Sequence, residues 1–298
     1  LALLTYLGAG YTHEDEKYRD VVRRGIQWLL KHQQPDGNLS YRGSEPTHFY
    51  SQGIATMALC EAYGMTQDRE LREPAQRAID FNVKSQDPVR GGWRYKPQDG
   101  SDTSVTGWQL IALKSAQMAG LEVPEETVRK VSHWLDFAQV PNRGTYVYNP
   151  LNSDAENPGG RAPNPTMTAK AMVMRMYIGR DRDKASLAQG ADYLLAHLPD
   201  VGTLETPQRD CYYWYYGTQA MYHMQGEYWK SWEARITPLV RAGQLDRGPL
   251  KGSWSPRDPV PDHWGAWAGR HYVTSLHILT LEFRYWHLPL FRELRKGE

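Results

Sequence analysis

The sequence predicts an all-α fold in which six helical hairpins close into a toroid. A motif with a basic residue, an aromatic–aliphatic pair, a glutamine and a glycine turn recurs, with copies starting at positions 24, 77, 130, 189 and 235. Segments that are apolar on most faces alternate with these motifs. The first and last apolar segments are as apolar as the middle ones, which favours a closed ring over an open array with polar ends.

Each motif is predicted to end an amphipathic outer helix. In the clearest copy, residues 24–37, Val22, Ile26 and Leu29 form an apolar stripe on a polar background. Pro35 and Gly37 then stop the helix, because proline cannot continue it and glycine supplies the turn. The other copies include Gln86 with Trp93, Gln139 with Tyr146, a degraded copy at Gly190 with Tyr193, and Gln244 with Trp254.

The segments between the motifs are predicted to be inner helices. They are apolar most of the way round, so we expect them to be buried on nearly all faces. A sixth outer helix is expected at residues 288–295. The predicted inner helices contain residues 1–7, 53–59, 107–113, 168–177, 212–224 and 275–281.

Length and charge narrow the classes of function. The 298 residues fit one domain, which we place at 1–298. Thirty-five basic against 34 acidic side chains argue against a partner held by charge, such as nucleic acid. No apolar run has the length of a membrane span, so we expect a soluble domain of unassigned location. Because the chain begins at Leu1 in mid-helix, we expect an N-terminally truncated or mature form.

The repeat resembles the QW repeats of squalene-hopene cyclases, and the pattern is also similar to the β-subunits of protein prenyltransferases. Both families belong to the (α/α)6 toroid superfamily, and the resemblance covers residues 2–291. It implies a fold more than a function, because many activities share one fold. In this motif the glutamine and the tryptophan tie helix ends to turns and do no chemistry.

Aromatic residues are unusually frequent, with 11 Trp and 19 Tyr against 5 Phe. One interpretation is packing, with polar tips that reach water. The other is an aromatic-lined cavity, which the cyclases use to stabilise carbocations. For the second interpretation the candidate ligand-binding residues are Tyr212, Tyr215, Tyr216, Trp108, Trp264 and Trp267.

Candidate acids precede the apolar segments. The residues Asp99-Gly100-Ser101-Asp102-Thr103 stand where the cyclases carry Asp-x-Asp-Asp-Thr, whose middle aspartate protonates the substrate. Ser101 replaces that acid here, so cyclisation started by protonation is not expected. Asp99 and Asp102, with His48 beside Glu45, remain the catalytic candidates. The alternative is that Asp102 only caps a helix.

The prenyltransferase resemblance implies a zinc site. The β-subunits hold a catalytic zinc through Asp, Cys and His at the starts of two inner helices. Asp210, Cys211 and His271 lie in the corresponding region and are the candidate ligands. The same resemblance implies a helical partner subunit.

Three hypotheses about function follow. The first is an enzyme or carrier for an apolar, isoprenoid-like ligand in a central cavity. The second is a non-catalytic toroid that binds a protein, peptide or glycan. The third is a carbohydrate-active (α/α)6 enzyme, which needs two carboxylates at a suitable distance. The long loops 146–161 and 245–269 are expected to act as a lid, an interaction surface or a plug.

Overall fold

The computed structural model describes residues 1–15, 17–40, 48–151, 158–179 and 184–286. Over these ranges the chain forms α-helices, isolated β-bridges and a short 3-10 helix, Pro158–Arg161, but no β-strand. The helices are α1 (Ala2–Gly8), α2 (Arg19–His32), α3 (His48–Thr66), α4 (Arg69–Lys84), α5 (Thr103–Met118), α6 (Glu125–Ala138), α7 (Pro165–Ile178), α8 (Lys184–Leu195), α9 (Cys211–Met224), α10 (Gly226–Ala242) and α11 (Gly265–Trp286).

Buried and amphipathic helices alternate along the chain, as the repeat predicts. Helix α5 buries 13 of its 16 residues, whereas α2 buries only Val22 and Ile26 of its 14. The odd-numbered helices contain the predicted inner segments, and the even-numbered helices end in the repeated motif. None of the described helices combines the length and the apolar character needed to cross a bilayer. The expected outer helix at 288–295 lies outside the described residues.

The chain divides into two compact units. The first consists of Leu1–Val140, Tyr146–Pro163 and Tyr177–Gly179; the second consists of Pro141–Thr145, Asn164–Met176 and Arg180–Glu298. In the first unit α3 packs against α1, α4 and α5, and in the second α9 packs against α8, α10 and α11. Each unit is compact, but compactness does not show that a unit folds independently. The single domain at 1–298 therefore stays a prediction.

The glutamine of the motif joins consecutive outer helices. The Gln86 side-chain amide donates to the carbonyl oxygens of Gly91, in its own turn, and Thr127, in α6, at 2.8 and 2.9 Å. The Trp93 indole N–H donates to the carbonyl of Asn82 at 2.8 Å. In the first copy the Gln33 amide likewise donates to Pro74 in α4 at 2.8 Å. The prediction that these side chains tie helix ends to turns is therefore confirmed.

The turn glycine of the motif lies against the next outer helix. At Gly91, where φ is +79°, a Cβ atom would lie 2.3 Å from the Lys130 carbonyl oxygen in α6. At Gly37, where φ is +93°, a Cβ would lie 2.0 Å from the carbonyl oxygen of Arg77 in α4. Only glycine can adopt this positive φ and also lie so close to the backbone of the next helix. This explains why a glycine recurs in the turn after the outer helix.

Candidate functional site

Asp102 caps helix α5 in the first unit. Its Oδ1 accepts a hydrogen bond from the Val105 backbone N–H at 2.7 Å, and its Oδ2 accepts one from the Tyr148 hydroxyl at 3.0 Å. The side chain is fully buried, whereas Asp99 is exposed. The two candidate acids thus lie in different environments, and Asp102 has the geometry of a helix cap.

Ser101 also has a structural role. Its hydroxyl donates to Asp87 Oδ2 at 2.8 Å and accepts from the Gly92 backbone N–H at 3.0 Å. The residue in the position of the cyclase acid therefore fastens the motif's turn to the start of α5. The candidate Glu45 lies outside the described residues. His48 begins α3, but its side chain is outside the described part.

A tyrosine network in the first unit was not predicted. The Tyr95 and Tyr148 hydroxyls lie 2.5 Å apart, and the Tyr50 hydroxyl donates to Ser104 Oγ at 2.8 Å. Burial raises the pKa of Tyr95 and of Tyr148, so both phenols stay protonated near neutral pH. Tyr148 and Asp102 are 46 positions apart in the sequence. The spacing of the repeat does not predict their contact.

Two carboxyl groups meet at the start of α9 in the second unit. Asp210 Oδ1 accepts from the backbone N–H groups of Tyr212 and Tyr213 at 3.0 Å, and its Oδ2 accepts from the Thr166 hydroxyl at 3.3 Å. The buried Asp262 accepts from the Cys211 backbone N–H through its Oδ2 at 2.9 Å. Burial raises the pKa of Asp210 and the charge of Asp262 adds to the rise, although the Tyr213 N–H opposes it.

The loop that carries Asp262 is fastened to the start of α9. The Arg209 guanidinium donates to the carbonyl oxygens of Asp258 and Val260 at 2.8 and 3.2 Å. The His263 backbone N–H donates to the Arg209 carbonyl at 2.8 Å. This part of the loop 245–269 is therefore held in place, which does not suit the lid that its length suggests.

The three predicted zinc ligands do not form a metal site. Among the described residues, no group of three His, Cys, Asp or Glu side chains is arranged to hold a metal ion. Asp210 is occupied as a helix cap, and His271 is exposed. Cys211 is fully buried, and burial raises the pKa of its thiol well above the ordinary value, which disfavours the thiolate that binds zinc.

The predicted ligand-binding aromatic residues separate into two groups. Tyr212, Tyr215, Tyr216 and Trp108 are buried, with at most 7% of the residue exposed. Trp264 and Trp267 are 47% and 71% exposed.

Two rings of the buried group, those of Tyr212 and Tyr216, already contact a cation. Lys170 Nζ donates to the Tyr212 hydroxyl at 2.5 Å and lies 4.1 Å from the Tyr216 ring centroid. Lys170 is itself fully buried. Two of the rings that the cyclase resemblance would assign to a carbocation therefore contact the protein's own ammonium group.

Solved structures with a similar fold include two kinds of enzyme. The GH76A α-1,6-mannanase of Salegentibacter sp. HEL1_6 has a TM-score of 0.64 and 14% identity, covering 96% of this chain and 87% of that one. Its inactive variant, with two consecutive aspartates replaced by alanine and α-1,6-mannotetrose bound, has a TM-score of 0.63 and 13% identity, covering 94% and 84%. The type II terpene cyclase MstE from Scytonema, as an Asp-to-Asn variant with its substrate geranylgeranyl dihydroxybenzoate, has a TM-score of 0.56 and 14% identity, covering 94% and 86%.

These similarities show the fold alone and confirm the predicted (α/α)6 class. No protein-family model matches the chain, and no curated protein matches it. The resemblance to terpenoid cyclases is therefore confirmed only as a shared fold, and the assignment of QW and prenyltransferase repeats gains no support. The sequence contains no two consecutive aspartates, so it also departs from the mannanase at the pair replaced in the inactive variant.

Proposed function

We propose that this protein binds an oligosaccharide at the start of α9 and acts on it as a carbohydrate-active (α/α)6 enzyme. The observation that carries the proposal is that the exposed Trp264 is bonded through its backbone to Asp262, one member of the carboxyl pair. The Trp264 backbone N–H donates to Asp262 Oδ1 at 3.1 Å, and Trp267 follows within the same turn. The mannanases with the same fold support this choice of ligand class.

Exposed tryptophan side chains suit a sugar ligand. A sugar ring has an apolar face of C–H groups that packs on an aromatic ring, while its hydroxyl groups bond to polar neighbours. Trp264 and Trp267 provide such rings, and the half-buried Asp210 provides a polar neighbour. Lys170 fills the buried aromatic cluster, which is why an isoprenoid ligand there is the weaker reading.

Asp210 has the environment of a general acid. Glycoside cleavage needs one carboxyl group that stays protonated long enough to donate to the leaving oxygen, while a second carboxylate acts as base or nucleophile. The residue Asp210 is half-buried, and burial of its carboxyl group raises the pKa, which favours the protonated form. Asp262 is the second carboxyl group beside it. Because the mannanase pair of consecutive aspartates is missing, we base hydrolysis on this different pair.

Binding is tested first by titrating α-1,6-mannotetraose into the protein and measuring heat and tryptophan fluorescence. We expect Trp264→Ala and Trp267→Ala each to weaken binding about tenfold, since each removes a stacking surface. The matched control is Trp28→Ala, because Trp28 is 51% exposed but lies on α2. Absence of binding to this oligosaccharide and to a panel of other neutral glycans would contradict the proposal.

Cleavage is tested by the release of reducing ends from the bound oligosaccharide. Asp210→Asn keeps an acceptor for the helix cap and removes the proton donor, so we expect the rate to fall by a factor of about 100 to 10,000. Asp246→Asn changes an exposed carboxyl group in the same unit and should keep full activity. Binding without release in the unmodified protein would favour the non-catalytic glycan-binding scaffold.

A further inference from the structure

A cluster of tyrosines in the first unit shares no residue with the site proposed above. Tyr50, Tyr95, Tyr148 and Arg94 are all half-buried, whereas Asp102 and Ser104, to which the phenols bond, are buried. The phenol rings are partly exposed, so a ligand can reach them, while buried polar side chains bond to their hydroxyl groups. Side chains that a buried network holds in place also lose little freedom when a ligand binds.

The hydroxyl hydrogens of this cluster have a fixed direction. An ionised Asp102 only accepts, so the Tyr148 hydroxyl donates to it. The single hydrogen of Tyr148 is then used, and the Tyr95 hydroxyl must be the donor in the 2.5 Å contact between the two phenols. The Tyr95 oxygen consequently acts as an acceptor, and it already accepts one hydrogen bond from the Arg94 guanidinium, which leaves one lone pair for a ligand. The network therefore prefers a ligand that donates hydrogen bonds, such as one rich in hydroxyl groups.

The charges of the cluster balance. The Arg94 guanidinium lies 5.1 Å from the Tyr95 ring centroid, and the charge of Asp102 acts on it. One positive and one negative group leave no net charge to attract an ionic ligand. The Tyr50 and Tyr95 rings, with centroids 6.4 Å apart and planes at 39°, add aromatic surface. An uncharged ligand with both hydroxyl groups and an apolar face fits these properties.

We propose that Tyr50, Tyr95, Tyr148 and Arg94 form a second glycan-binding site that takes an uncharged sugar residue. This inference rests on the proposed function, because it assigns the same class of ligand. Sugar hydroxyl groups donate to the Tyr95 oxygen, and the guanidinium donates to sugar oxygens. Asp102 is a positioning residue, since it sets the direction of the phenol hydrogens without touching the ligand.

The experiment titrates α-1,6-mannotetraose into protein labelled with 3-fluorotyrosine and follows the fluorine NMR spectrum. Spectra of Tyr95→Phe, Tyr148→Phe and Tyr50→Phe assign the three resonances by their disappearance. We expect these resonances to shift on titration. By calorimetry, Tyr95→Phe should weaken the binding event of this site about 5- to 30-fold. Tyr228→Phe, which removes an exposed hydroxyl bonded to Asp192, is the control and should change nothing.

The role of Asp102 is tested with Asp102→Asn, which can still cap α5. Unchanged helix content together with weaker binding at the tyrosine site supports a positioning role; unchanged binding overturns that role. If the oligosaccharide binds, Trp264→Ala weakens binding and the three tyrosine resonances stay still, the second site is wrong while the proposed function stands. If no glycan binds the unmodified protein, both proposals fall.

Discussion

The backbone N–H of Cys211 donates to the carboxylate of Asp262, 51 positions further along the chain, at 2.9 Å. Asp210 takes the usual position of an N-cap on the same helix. The first backbone N–H groups of α9 therefore donate to two carboxyl groups, one from the adjacent residue Asp210 and one from Asp262 in the loop 245–269. Burial and the neighbouring charge of Asp262 both raise the pKa of Asp210.

The charge of Asp262 should control the titration of Asp210. In Asp262→Asn the neighbouring charge is gone, so we expect the pKa of Asp210 to fall while burial keeps it above its ordinary value. The lost charge-assisted bonds to Cys211 and Trp264 should also lower the free energy of unfolding by about 1 to 3 kcal/mol. Carbon-13 NMR of labelled aspartate carboxyls measures the first effect, and urea unfolding measures the second.

Asp246→Asn serves as the control for that variant, because Asp246 is exposed and pairs only with its neighbour Arg247 among the described contacts. Asp246→Asn should leave the pKa of Asp210 and the free energy of unfolding unchanged. An Asp210 titration that is the same with and without the Asp262 charge would show that the two carboxyls do not interact.

The glycine of the repeat should be intolerant of a side chain. Gly91→Ala places a methyl group 2.3 Å from the Lys130 carbonyl at a φ of +79°, so the turn must separate from α6. Gly100 has a similar φ, +84°, but a Cβ there would meet no atom within 4 Å. Gly100→Ala should cost about 1 to 2 kcal/mol for the backbone conformation alone. Gly91→Ala should cost clearly more, and equal losses in thermal unfolding would contradict the role given to the turn.

The helices could be predicted because their causes are local. Val22 and Ile26 recur at helical spacing, and Pro35 with Gly37 ends the helix. A short window of sequence is therefore enough to predict α2. The tie made by Gln86 spans more of the chain but repeats an earlier one: its amide donates to Thr127, 41 positions on, as the amide of Gln33 donates to Pro74.

The site could be predicted only in part, because its contacts are not local. Asp102 was identified, but its bond to Tyr148 depends on how the chain returns after α6. The sequence predicts that Tyr216 lines a cavity, whereas in the structure the ammonium group of Lys170 lies against its ring. Apolar or aromatic character says that a residue faces inward, and it does not say whether a ligand or a side chain meets it there.

His277 should make the protein less stable in mild acid. It is fully buried against Trp214 and beside Arg209, and burial first, then the Arg209 charge, lowers its pKa from 6.5 to about 3. The unfolded chain therefore binds more protons than the folded one between these values, so stability is full above pH 6.5 and falls as pH decreases towards 3. Two pH units below 6.5, the loss from this group is about 2 to 3 kcal/mol.

Urea unfolding at pH 7 and pH 4.5 measures this contribution. In His277→Gln the neutral side chain cannot take up the proton, so the difference in unfolding free energy between the two pH values should shrink by about 2 to 3 kcal/mol. The exposed His197 provides the control, and His197→Gln should keep the difference found in the unmodified protein. A variant with the full acid sensitivity would show that other groups cause it.

Asp102 and Asp99 should differ sharply when each is replaced by alanine. Asp102→Ala removes the cap bonded to Val105 and leaves the Tyr148 hydroxyl without its acceptor, so we expect a loss of about 2 kcal/mol or more in the free energy of unfolding. Asp99→Ala changes an exposed side chain and should stay within about 0.5 kcal/mol. Thermal unfolding and glycan cleavage are measured on both variants. If Asp99→Ala abolishes cleavage without changing stability, Asp99 is a reacting group, and the assignment of the acid to Asp210 has to be given up.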